Sequence, residues 1–71
     1  NKLSYINRFA FQNLENLELL WLQSNKLITL ESKTFDDLIN LKELRLNDNQ
    51  LVFLDPQLFI NLKKLTTLVL D

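Results

Sequence analysis

The sequence predicts a small repeat solenoid, in which short strands stack on one side and irregular arcs return the chain along the other. A shift of 24 residues aligns the 71-residue chain with itself, and seven columns of this register hold only Leu, Ile or Phe. The chain is 46% apolar, so chance would fill all 7 × 3 = 21 positions about once in ten million. The columns are Leu3, Leu27, Leu51; Ile6, Leu30, Leu54; Phe11, Phe35, Phe59; Leu14, Leu38, Leu62; Leu17, Leu41, Leu65; Leu20, Leu44, Leu68; and Leu22, Leu46, Leu70. Such a period indicates stacked repeats with a shared core.

The strands follow from the spacing of leucines within each repeat. Leu44, Arg45 and Leu46 alternate between apolar and polar, which is the period of a strand with one buried face. This pattern predicts a strand near 42–46, with Arg45 pointing outward, and equivalent strands near 18–22 and 66–70. Successive turns of a solenoid run in the same direction, so the three strands should be parallel.

An asparagine column lies where each turn passes the strands. Asn1, Asn25 and Asn49 share one register position, and the latter two come three residues after the second leucine of a strand. A side-chain amide both donates and accepts hydrogen bonds, so it can pair with backbone groups that the strands leave unpaired. We expect a structural asparagine ladder.

The remaining arc of each repeat should return the chain along the convex side. Its Phe column is predicted to fill the interior, and Asp36-Asp37 is expected to form a solvated turn. A leucine-rich helical hairpin or coiled coil is the competing architecture. Helix start and stop signals are absent, and the three-residue spacing that begins at Leu14 breaks at Leu22, so no heptad pattern persists and little or no regular helix is expected.

Each module reads L-x-x-L-x-L-x-x-N-x-L, as in Leu41 to Leu51, and resembles the leucine-rich-repeat family over the whole chain. The Phe column, with Leu three residues later, is similar to the "typical" 24-residue subclass common in extracellular proteins. Toll-like receptor ectodomains, lymphocyte receptors of jawless vertebrates, guidance proteins and matrix proteins contain such repeats. The resemblance implies a leucine-rich-repeat solenoid of the α/β type, with short parallel strands on the concave face and loops or 3₁₀ turns on the convex face. It implies further that protein ligands bind on the concave sheet. It also implies a secreted or cell-surface receptor as the parent, with an innate-immune or adhesion role.

The domain organisation expected from the register is one solenoid, 1–71, of three repeats at 1–24, 25–48 and 49–71. Neither end carries the features of a cap, and the cysteine-rich caps usual in the family have no counterpart in a chain without Cys. We therefore expect a fragment uncapped at both ends. Self-association through those ends is one expected way to cover the exposed core.

Composition excludes most chemistry. The chain has no Cys, His, Gly or Met, which excludes thiolate or imidazole metal sites, a Ser-His relay and glycine loops for phosphates. We expect no enzyme activity, cofactor or metal. Eight basic against nine acidic residues give a net charge of −1, with Lys63-Lys64 as the one adjacent basic pair, so nucleic-acid binding is not expected. No apolar run approaches the roughly 20 residues of a membrane span.

Outward strand positions form the candidate ligand-binding surface. Trp21 and Arg45 should lie on neighbouring strands, about 4.8 Å apart, and stack as a cation–π pair. Trp and Arg are enriched at binding hot spots. The grid has three columns: Leu19, Glu43, Thr67; Trp21, Arg45, Val69; and Gln23, Asn47, Asp71.

Other interpretations remain beside this one. Trp21 is alternatively buried against a neighbouring module or chain, and Arg45 alternatively serves solubility. Tyr5, Thr29 and Phe53 share a rim column that forms a second, weaker candidate surface. The rival functions are a structural spacer, a self-assembling repeat fragment or a cytosolic regulatory repeat protein.

Overall fold

The fold is a three-stranded parallel sheet with irregular arcs behind it, seen in a computed structural model that describes residues 2–70. The strands are β1 (Leu19–Trp21), β2 (Glu43–Arg45) and β3 (Thr67–Val69), in the order β1-β2-β3. Each pairs with the next at an offset of 24 residues, so Trp21 lies beside Arg45 and Arg45 beside Val69. The predicted solenoid fold with parallel strands is confirmed.

The strands are shorter than the five residues predicted for each. Pairing nevertheless continues beyond them, because the backbone N–H of Leu22 donates to the carbonyl of Arg45 at 2.8 Å and that of Ser24 to Asn47 at 3.0 Å. Past this point the chain turns away from the sheet. The strand pairing therefore ends near the asparagine column, and backbone bonds between turns resume beyond it, as from the Lys26 N–H to the Leu3 carbonyl at 2.7 Å.

In the described part of the chain, the convex arcs contain turns and one short 3₁₀ helix, Pro56–Phe59. Asp55 caps it, since its Oδ1 accepts a hydrogen bond from the backbone N–H of Gln57 at 3.0 Å. Pro56 occupies the first helical turn, where its missing N–H costs nothing. No α-helix occurs between residues 2 and 70, as the sequence predicts, and the structure there contains no helix long and apolar enough to cross a membrane.

The core is centred on the middle turn, residues 25–48. Phe35 is fully buried, and its ring packs against that of Phe11 with 6.1 Å between the centroids. Framework leucines of the outer turns are more exposed, because described residues cover them on one side only. Fully buried side chains are Leu27, Phe35, Leu38, Leu41, Leu44, Leu46 and Leu58. Leu58 was not predicted; it shares a column with Ala10 and the buried Thr34, so that column gives no apolar signal.

Among residues 2–70, three non-glycine residues adopt left-handed backbone conformations: Asn13, Ser24 and Asp48, with φ of 66°, 60° and 59°. The chain has no glycine to take these positions. Asn and Asp tolerate this region better than most residues, while Ser does so less well. Ser24 and Asp48 directly precede Asn25 and Asn49, so the same turn leads into each of these asparagines.

Candidate functional site

The turns beside the sheet are held by asparagine side chains. Asn49 Oδ1 accepts from the backbone N–H of Leu27 at 3.0 Å, and its Nδ2 donates to the carbonyls of Leu22, Leu46 and Asn47 at 2.9, 3.0 and 3.3 Å. Asn25 accepts from the N–H of Leu3 at 3.1 Å in the same way. These bonds join adjacent turns and so set the positions of the strands relative to each other. Asn1 lies outside the described residues.

A second set of polar bonds joins the turns on the convex side, and sequence reasoning missed it. Asp37 Oδ2 accepts from the backbone N–H of Asn13 at 2.8 Å, Asn40 donates to the carbonyl of Glu15 at 2.7 Å, and Asn61 donates to that of Asp36 at 3.2 Å. Asp36 and Asp37 lie in a turn, as predicted, but both are half-buried, and Asp37 also bonds to the preceding turn. The repeating Asn, Asp and Asn at 13, 37 and 61 was the available signal.

The concave face presents the predicted aromatic and basic pair. The guanidinium carbon of Arg45 lies 4.4 Å from the ring centroid of Trp21. Trp21 and Leu19 are each 53% exposed, so within the described chain Trp21 is not buried against a neighbouring turn. Because the 24-residue period sets the strand register, the sequence alone was enough to predict this stacking.

Glu43 holds the pair together. Its Oε2 accepts a hydrogen bond from Trp21 Nε1 at 2.7 Å and lies 2.7 Å from Arg45 Nε. We call these three residues the Trp–Glu–Arg cluster. Sequence analysis placed Glu43 on the face but did not predict that it clamps both neighbours, since strand periodicity carries no information on rotamers.

The rest of the predicted grid is less uniform. Thr67 is exposed and Val69 half-buried, so β3 adds a small aliphatic border to the cluster. Gln23 and Asn47 are half-buried, and their side-chain oxygens are shielded with no hydrogen-bond partner in the described part of the chain. Asp71, the last member of the grid, lies outside the described residues.

The flank of the sheet carries an exposed ion pair. Lys42 Nζ lies 3.7 Å from Glu18 Oε1, and both side chains are more than half exposed. Exposed pairs of this kind contribute about 0–1 kcal/mol. This pair therefore serves as a comparison for the tighter contacts of Glu43.

The rim column is the second candidate surface. Tyr5 and Phe53 are exposed, as is Thr29 between them. The Tyr5 hydroxyl donates to Glu31 Oε2 at 3.1 Å. This hydrogen bond and the charge of Glu31 raise the pKa of Tyr5 above its usual 10.0, because both favour the neutral phenol.

The convex side offers a cleft of about 250 Å³ between the first two arcs, lined by residues that include Arg8, Phe9, Lys33 and Asp36. Arg8 lies over the ring of Phe9 at 4.8 Å. Across residues 2–70, no acidic side chains gather in a group of three that would hold a metal ion.

Comparison with known families agrees with this architecture. The sequence model of the leucine rich repeat matches two overlapping segments, residues 1–51 and 19–71. Together these segments include every residue of the chain. A search of curated proteins finds no sequence that matches it.

Proposed function

This chain belongs to the leucine-rich-repeat family, and from that premise we propose that it is a non-enzymatic protein-recognition module that binds its ligand on the concave sheet. Leucine-rich repeats generally mediate recognition between proteins. The observation that supports this face is the Trp–Glu–Arg cluster, an exposed Trp held by two neighbours on the next strand. The proposed contacts are the outward side chains of β1, β2 and β3 described above.

The cluster suits binding because its side chains are already ordered. Immobilising a flexible side chain on binding costs about 0.5–1.5 kcal/mol. Arg45 and Trp21 have lost much of that freedom through the stacking and through their contacts with Glu43. A ligand that covers Trp21 and Leu19 also removes two half-exposed apolar side chains from water.

The same proposal extends to the parent protein. We assign three repeats of the "typical" subclass, at 1–24, 25–48 and 49–71, to a secreted or cell-surface receptor with an innate-immune or adhesion role. The Phe column supports the subclass, because Phe35 is buried and packs on Phe11. The flanking sequence tests this: a signal peptide with a membrane anchor or cysteine-rich caps supports it, whereas an uninterrupted cytosolic domain contradicts it.

Peptide selection tests the binding face. Random peptides displayed on phage are selected on the 71-residue chain and then measured on Trp21→Ala and Arg45→Ala. The matched controls are Phe9→Ala and Arg8→Ala, which remove the convex cation–π pair. The proposal expects the concave variants to lose binding while folding and the control variants stay unchanged. Equal losses on both faces, or losses for the controls alone, contradict it.

A structural role is the second candidate, as a spacer or a self-assembling fragment. Exposed framework leucines on the outer turns favour it, since another turn of the same kind, from this chain or a second copy, would cover them; they are Leu3, Leu14, Leu68 and Leu70. Light scattering over a concentration series tests self-assembly, and a folded monomer throughout rules it out. Ligand binding by the parent that is unaffected by Trp21→Ala would favour the spacer.

A further inference from the structure

We propose that the concave face recognises a carboxylate of its protein ligand, placed within two residues of an apolar side chain. The end of the Arg45 guanidinium binds the carboxylate, and Trp21 with Leu19 contacts the apolar group. This inference rests on the proposed function and specifies the chemistry of the partner.

The first observation behind this inference is the terminal end of the Arg45 guanidinium. Arg45 Nε lies 2.7 Å from Glu43 Oε2, and no residue of 2–70 other than Glu43 forms a hydrogen bond or ion pair with the guanidinium. Its two terminal amino groups form a planar fork that matches a carboxylate with two parallel hydrogen bonds. Stacking on Trp21 at 4.4 Å restricts the plane of that fork, so less freedom is lost when a carboxylate binds.

Exposure determines which charge of the cluster meets the ligand. The Arg45 side chain is 40% exposed, while that of Glu43 is 22% exposed. Glu43 Oε2 is occupied by Trp21 and Arg45. Glu43 is also the less exposed of the two charges, so a basic group of the ligand reaches it less readily than a carboxylate reaches Arg45. A carboxylate binds the more exposed of the two charges, so the cluster favours an acidic partner.

The apolar contact lies close to the fork. Leu19 and Trp21 are two residues apart on β1 and point to the same side, which separates them by about 6.6 Å. Arg45 is the direct neighbour of Trp21 on β2. Adjacent strands are about 4.8 Å apart. An extended ligand therefore reaches both contacts with residues that are neighbours or next-but-one in sequence.

The test uses the selected peptides that bind the concave face. Each acidic side chain or terminal carboxylate is replaced in turn by its amide, and affinities are measured on the native chain, Arg45→Gln and Arg45→Lys. The chain has one Trp, so its indole signal reports binding at the cluster in every titration. Circular dichroism shows that each variant is folded.

We expect one carboxylate whose replacement weakens binding to the native chain roughly threefold to tenfold, as for a charge-assisted pair at a partly exposed site. The same replacement should have no effect on Arg45→Gln. At low salt, Arg45→Lys should bind the peptide more tightly than Arg45→Gln but less tightly than the native chain. A lysine supplies the charge without the planar fork of the guanidinium. Whether the required group is a side chain or the C-terminus follows from which amide weakens binding.

Two results overturn the inference while leaving the proposed function intact. One is a set of peptides that depend on Trp21 yet contain no required carboxylate. The other is a carboxylate whose replacement weakens binding equally on the native chain and on Arg45→Gln. Peptides that ignore Trp21→Ala but respond to Phe9→Ala would instead overturn the proposed binding face itself.

Discussion

The two faces of the solenoid each carry an arginine over an aromatic ring, and they differ in what supports it. On the concave face Arg45 and Trp21 come from separate strands at 4.4 Å, and Glu43 contacts both. On the convex face Arg8 and Phe9 are adjacent in sequence at 4.8 Å, and no ion pair or side-chain hydrogen bond of Arg8 occurs within residues 2–70. The same pairwise contact becomes an ordered surface only where strand register and a third group restrain it.

The polar bonds between turns show the same contrast. Asn49, beside the sheet, makes four hydrogen bonds to backbone groups. Asn61, on the convex arcs, makes one, to the carbonyl of Asp36. Removing first the hydrogen bonds of Asn49 and then that of Asn61 shows how much the concave side depends on its asparagine ladder.

The largest expected effect is on stability. Asn49→Ala should reduce the free energy of unfolding by about 3 kcal/mol, because the N–H of Leu27 and nearby carbonyls lose their partner in a half-buried setting. Asn61→Ala should cost about 1 kcal/mol. Urea unfolding measures both. Equal losses would show that the two sides are held together equally well.

The next effect concerns the clamp. Glu43→Ala should weaken binding of a concave-face peptide by about 1 kcal/mol, because Trp21 and Arg45 lose their shared partner. Glu18→Ala removes a carboxylate from the exposed pair with Lys42 and should change binding by less than about 0.5 kcal/mol. Calorimetric titration checks this. An effect of Glu18→Ala as large as that of Glu43→Ala would contradict the role of the clamp.

A smaller effect concerns backbone conformation. Ser24→Gly should stabilise the chain by about 0.5 kcal/mol, because glycine removes the cost of a positive φ while adding some entropy to the unfolded state. Asn13→Gly, on the convex side, should be closer to neutral, because Asn tolerates this conformation. Thermal unfolding compares the two. A greater gain in stability from Asn13→Gly than from Ser24→Gly would show that the backbone strain is larger at Asn13.

The smallest effect is at the rim. The pKa of Tyr5 should fall in Glu31→Gln, because the hydrogen bond to the Glu31 carboxylate and the charge of that group both favour the neutral phenol. Since the pKa in the folded state is raised, any stability from this contact is present below the unfolded pKa and is lost as pH rises through the folded pKa. The chain has one Tyr, so spectrophotometric titration measures it directly. An unchanged midpoint would show that the contact with Glu31 is not maintained.

The 24-residue period predicts the strands and their register, but it does not predict side-chain conformations or the contacts of the arcs. A strict 24-residue repeat determines strand positions and register, and register alone brings Arg45 beside Trp21. The contacts of Glu43 depend on side-chain rotamers that the pattern does not encode. The burial of Leu58 and Thr34 was missed because their column also contains Ala10, and the convex bonds were missed because Asn and Asp in arcs also suit solvated turns.

The most direct test of the central claim is the position of a bound peptide, mapped by backbone amide chemical shifts in nuclear magnetic resonance. The account predicts that the largest changes upon saturation fall at outward positions of β1 and β2 and at the Trp21 indole. It also predicts that the convex segments 8–13 and 32–37 stay unchanged. Changes concentrated in those segments, with the Trp21 indole unmoved, would contradict the concave face as the recognition surface.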